Sequence, residues 1–159
     1  MLCRFSRQVI MPMNKRKIYG CLFVLILCFI WGNSMLSREM SGAISKFVAG
    51  ILGGEAGTTD EGHHLVRKLA HFTEYAALGA SAHLYFDLLL QDKYRRYVTI
   101  ALVGVATPLV DETIQIFSGR GPALTDVWID AGGYLVGTMV VLLVLFLVCR
   151  RGGTRQNIQ

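Results

Sequence analysis

The stretch VWIDAGGYLVGTMVVLLVLFLVC, residues 127–149, decides how this chain folds. It contains one acidic residue, Asp130, and no basic one. About 20 such residues in a helix span a hydrocarbon core of ~30 Å. Three more apolar runs lie upstream, at 18–35, 65–90 and 97–117. All are too long for strands and lack the alternation of a membrane barrel. The expectation is an all-α integral membrane bundle of four transmembrane helices. Composition agrees: 53% of residues are hydrophobic and 17% charged, with mean hydropathy +0.45. Soluble domains carry about a quarter charged residues. These values argue against disorder, a fibrous repeat or a disulfide scaffold.

The connections set the orientation. Five Lys and Arg precede the first run, three lie in the short 91–96 link and three follow the last run. The two remaining connections and the polar edges beside them hold five: Arg38, Lys46, Arg67, Lys68 and Arg120. The positive-inside rule then predicts both termini in the cytoplasm, with residues 36–64 and 118–126 outside. This divides the chain into a basic cytoplasmic tail at 1–17, a four-helix domain at 18–150 and a cytoplasmic tail at 151–159. The net charge of +5 belongs to this topology rather than to nucleic-acid binding. The 91–96 link reads as a cytoplasmic anchor. The first run also resembles a signal peptide, but no small-residue cleavage site follows it, so it reads as a retained helix. Cys3, Cys21, Cys28 and Cys149 form no CxxC pair, and no disulfide or zinc site is expected.

Within the outer 36–64 segment, Ile44, Phe47, Val48 and Ile51 recur at helical spacing. They predict an amphipathic helix within 37–53, either interfacial or packed as a cap on the bundle. The Gly-rich residues 53–62 read as a loop.

Ionisable residues inside spans are costly and face the bundle interior or water. Arg67, His71 and Glu74 share one face of the second run, flanked by Lys68 and Tyr75. Asp111 and Gln115 share a face of the third, with Glu112 beside them. Arg120 follows, then Asp126 and Asp130 one turn apart. At ~1.5 Å per residue, Asp111 lies ~21 Å and Glu74 ~24 Å above the inner boundary. All three groups therefore converge near the outer leaflet as one predicted pocket. The set carries an excess of negative charge, which calls for a protonated carboxylate, a charged His71 or a cationic ligand. No HExxH or DxDxDG motif is present, so neither a metal site nor a cofactor is predicted. His83 and Asp87, deeper in the second run, read as a structural pair. Gly133 with Gly137, and Ala76 with Ala80, read as small-residue packing surfaces.

At these residues the sequence resembles the VanZ-like family of small multi-pass bacterial membrane proteins. The resemblance rests on Arg67-Lys68-x-x-His71-x-x-Glu74-Tyr75, on Asp111-Glu112-x-x-Gln115, and on Arg120, Asp126, Gly133 and Gly137. It departs at Asp130, where the family pattern carries asparagine. The resemblance implies a multi-pass protein of the bacterial plasma membrane, with a link to low-level resistance to teicoplanin, a lipoglycopeptide antibiotic.

Three functions compete. The first is a non-enzymatic envelope protein whose polar pocket engages a membrane lipid headgroup, a lipid-linked wall precursor or an amphiphilic antibiotic. The second is a membrane enzyme acting on a lipid-linked substrate, with His71 as acid/base, Glu74 or Asp111 orienting it and Arg67 and Arg120 holding phosphate. The third is a small cation or proton carrier. No nucleophile motif favours the enzyme, and four helices are few for a carrier, so envelope binding ranks first. Nucleic acid is not an expected partner.

Overall fold

The computed structural model describes residues 13–52, 60–119 and 124–156. Among them lie five helices and no strand: α1 (Met13–Ser34), α2 (Arg38–Leu52), α3 (Asp60–Leu89), α4 (Lys93–Phe117) and α5 (Leu124–Gln156). α2 is the amphipathic element anticipated in 37–53. α3 begins earlier than its apolar run, taking in Asp60–Gly62, which had read as loop. α5 continues beyond 150 into the segment expected to be a tail.

The helix ends follow local chemistry. Asp92 caps α4, its carboxylate accepting the Arg95 amide at 2.7 Å. Ser37 does the same for α2, accepting the Met40 amide at 3.3 Å. Gly119 terminates α4 with φ +76, a left-handed conformation that glycine adopts without a Cβ penalty.

Among the described residues, three helices are long and apolar enough to cross a membrane, over Asn14–Ser34, Lys93–Phe117 and Leu124–Arg150. Of the four expected spans, α3 is the one that does not qualify. Its 30 residues reach ~45 Å, but its first half carries too many charged residues, Arg67, Lys68 and Glu74 among them, to qualify. α3 lies at the centre instead, packed against each of the other four helices.

The tightest packing is between α3 and α5. A methyl group at Gly137 would overlap the Ala76 carbonyl, one at Gly133 would overlap the Phe72 carbonyl, and one at Gly79 would overlap the Tyr134 carbonyl. The two backbones therefore touch where side chains would hold them apart. Tyr134 completes the joint. Its hydroxyl donates to the Ile100 carbonyl of α4 at 2.9 Å, and its ring fills the space beside Gly104. Ile30, Tyr75, Leu78 and Ala82 form the core around it.

A second polar contact lies about one turn away along α4, beside the link that joins it to α3. Arg96, expected in an exposed anchor, is in α4 and only 1% exposed. It pairs with Asp87 at 3.0 Å and lies 5.0 Å from the Tyr97 ring centroid. Asp87, anticipated as the partner of His83, thus pairs with the neighbouring helix.

Gly137→Ala is expected to destabilise the fold by about 1–3 kcal/mol through overpacking. Gly132→Ala, where an added methyl meets nothing within 4 Å, should leave it unchanged. Thermal melting in detergent checks both. Asp87→Leu alone should cost roughly 2 kcal/mol by stranding the buried guanidinium, less than a fully buried pair because Asp87 keeps 29% exposure. Asp87→Leu combined with Arg96→Met should recover most of that loss. Melting temperatures that fall additively in the double variant would contradict the pairing.

Candidate functional site

The end of α1, the first half of α3, the end of α4 and the start of α5 meet at one level. From α3, Arg67 donates through Nη2 to Oε1 of Gln115 at 3.2 Å. Gln115 in turn donates through Nε2 to Oδ2 of Asp111, one turn earlier on α4, at 2.9 Å. The other Asp111 oxygen accepts the Ser34 hydroxyl of α1. Ser118 closes the edge, its hydroxyl lying 3.1 Å from both the Ser34 and the Gln115 carbonyls. Gln115 can serve both neighbours because an amide presents an acceptor on one side and donors on the other. The relay runs Arg67 to Gln115 to Asp111, with Ser34 arriving from the opposite side.

On the other flank of α3, Nδ1 of His71 faces Oδ1 of Asp130 at 3.5 Å. That distance lies beyond a good hydrogen bond, and neither atom has one. The carboxylate beside the imidazole is therefore Asp130, whereas the sequence suggested Glu74 or Asp111. Glu74 accepts from Asn33 Nδ2 of α1 at 3.3 Å. Its second oxygen and the Tyr75 hydroxyl are buried without a hydrogen bond. Polar groups in that state are uncommon in folded proteins.

The structure thus brings together Arg67, His71, Glu74, Tyr75, Asp111, Gln115 and Asp130. Asp126 and Glu112 are half-buried at the rim, with Asp126 accepting from Thr125 at 3.4 Å. Lys68 is exposed, away from this network. Arg120 lies outside the described residues. Sequence reasoning missed Asn33 and Ser34, which close the site from α1. Their signal was a polar pair ending an apolar run at the same outer level as the other groups.

A cleft of about 640 Å³ opens beside this network between α1, α2 and α3. Arg67, His71, Glu74 and Asn33 form its polar end. Cys28 and Phe29 of α1, with Ile44 and Val48 of α2, form apolar walls. Phe47 and Ile51, on the outer side of α2, are exposed.

Comparison with curated proteins and with solved structures gives no match. The VanZ/LLP1 family model matches residues 17–147. That range covers α1 to most of α5 and contains every residue of the polar network. The membrane-spanning helices and the family match agree, and the chain is a membrane protein of the VanZ/LLP1 family.

Proposed function

We propose that this protein binds an amphiphile in the cleft between α1, α2 and α3, with the polar head at Arg67, His71 and Glu74 and the apolar part against Phe29, Ile44 and Val48. The observation that carries this reading is the cleft itself, which is polar at one end and apolar along its walls. Pockets for small molecules share this make-up, with apolar walls and a few placed polar groups. The amphiphile is a membrane lipid, a lipid-linked wall precursor or a lipoglycopeptide such as teicoplanin. A guanidinium can fork onto a phosphate or carboxylate with two donors, which an ammonium cannot reproduce. Glu74 supplies the opposite sign beside it, which favours a head that pairs an anion with a cationic or neutral polar group.

The site faces the outside of the bacterial plasma membrane in this reading. α3 is the fourth span, packed against each of the other four helices, and both termini are cytoplasmic. The role is binding rather than turnover.

In a cysteine-depleted chain, Gly57→Cys should react with an impermeant maleimide from outside, and Gln91→Cys only after the membrane is opened. Equal labelling of both from outside would exclude α3 as a span. Native mass spectrometry in mild detergent should show a lipid-sized adduct on the wild-type protein. Val48→Trp, which fills the cleft, and Arg67→Lys, which keeps the charge but loses the fork, should reduce the adduct at least ~10-fold while the protein stays folded. Undiminished adduct in both variants would overturn the reading. If teicoplanin is the amphiphile, expression of the wild-type protein should raise the inhibitory concentration and Arg67→Lys should return it to baseline.

A further inference from the structure

We propose that His71, Asp111 and Asp130 hold a divalent first-row metal ion, of the Zn2+ or Mn2+ kind, at the inner end of the cleft. One ligand atom from each lies within 4.8 Å of the other two. The three residues come from α3, α4 and α5, so the site exists only in the folded bundle. Two donors on one ion at ~2.1 Å stand at most ~4.2 Å apart. Small side-chain rotations close that difference.

Proximity of acids alone would not point to an ion. The second observation is a buried imidazole nitrogen and a buried carboxylate oxygen that face each other without completing a hydrogen bond. Nδ1 of His71 and Oδ1 of Asp130 face each other at 3.5 Å with no hydrogen bond to either. Both groups are buried, His71 at 6% exposure and Asp130 at 2%. A cation between them satisfies a nitrogen lone pair and a carboxylate at once.

The third ligand is already oriented. Asp111 is fully buried, and each of its oxygens accepts one hydrogen bond, from Ser34 or from Gln115. A carboxylate oxygen has a second lone pair, which remains for a metal. Hydrogen-bonded carboxylates of this kind are the usual support around a bound ion. Arg67 extends the support by one more residue through Gln115.

Charge and donor type narrow the ion. Glu74, Asp111 and Asp130 bring three acidic side chains to one level of the bundle. Among the described residues, Arg67 is the cation hydrogen-bonded into this network. A divalent ion offsets the excess. One imidazole with carboxylates suits Zn2+ and Mn2+, whereas Mg2+ and Ca2+ prefer oxygen alone. His71 lines the cleft, which provides the entry path.

This proposal stands apart from the amphiphile reading, because metal content and lipid adduct are separate measurements. The test uses the full-length, tag-free protein in mild detergent. It is loaded with Zn2+ or Mn2+, freed of loose ion by dialysis and assayed for bound metal by mass spectrometry. The wild-type protein should retain roughly one ion per chain and melt higher when loaded. His71→Gln and Asp130→Asn should each weaken binding ~100-fold or more, while Glu39→Gln, exposed on α2, keeps it. No retained ion in the wild-type protein, or equal retention in all variants, would overturn the site. Should the variants fail to fold, the spectrum of the wild-type protein with Co2+ decides. Absorption typical of imidazole and carboxylate ligation supports the site, and the spectrum of the free aqueous ion refutes it.

Discussion

The close contact of α3 with α5 is the constraint on which the other features depend. Glycine at 133 and 137 lets the α5 backbone rest on the Phe72 and Ala76 carbonyls, and Gly79 lets α3 answer at Tyr134. The contacts advance together along both helices, so the two run in the same direction and in step. One turn before Gly133 sits Asp130, and just before Phe72 sits His71. The facing of the imidazole and the carboxylate is therefore a product of backbone register. Larger residues at the glycines would separate the helices and pull these two groups apart. Water does not drive helices together inside a membrane, so such close packing carries much of the association.

Around that joint, polar side chains solve a problem of their own. A helix with Arg67, His71 and Glu74 on it cannot face hydrocarbon. The bundle answers by packing the other helices against α3 and by supplying partners from three of them: Asn33 of α1 for Glu74, Gln115 of α4 for Arg67 and Asp130 of α5 facing His71. Each of these links ties residues far apart in sequence. They fix rotation about the helix axes more tightly than interchangeable apolar contacts would. The Asp87–Arg96 pair does the same at the opposite end.

Most of this architecture was legible in the sequence, for identifiable reasons. Apolar runs announce helices because the backbone must bond to itself in lipid. The spacing of Arg67, His71 and Glu74, and of Asp111 and Gln115, announces shared faces because a helix repeats every 3.6 residues. Helical spacing also located α2. Partner choice was not legible. That Asp130 rather than Glu74 or Asp111 meets His71 depends on which helix sides touch, and that depends on glycines whose effect is three-dimensional. The burial of Arg96 was hidden because a basic residue beside a short link reads as an anchor. The first turn of α3 was hidden because Asp60–Gly62 carries loop-forming composition. Asn33 and Ser34 looked like the ragged end of a hydrophobic run.

α2 gives the cleft an unusual kind of doorway. One wall of the opening is a short amphipathic helix whose Phe47 and Ile51 point away from the bundle. It follows α1 after a connection of only a few residues. A molecule dissolved in the bilayer would meet this opening from the side, by diffusion in two dimensions. Its occupancy would then follow its mole fraction among the surrounding lipids rather than its concentration in water. A scarce amphiphile that partitions strongly into the membrane could fill such a site although almost none of it is free in solution.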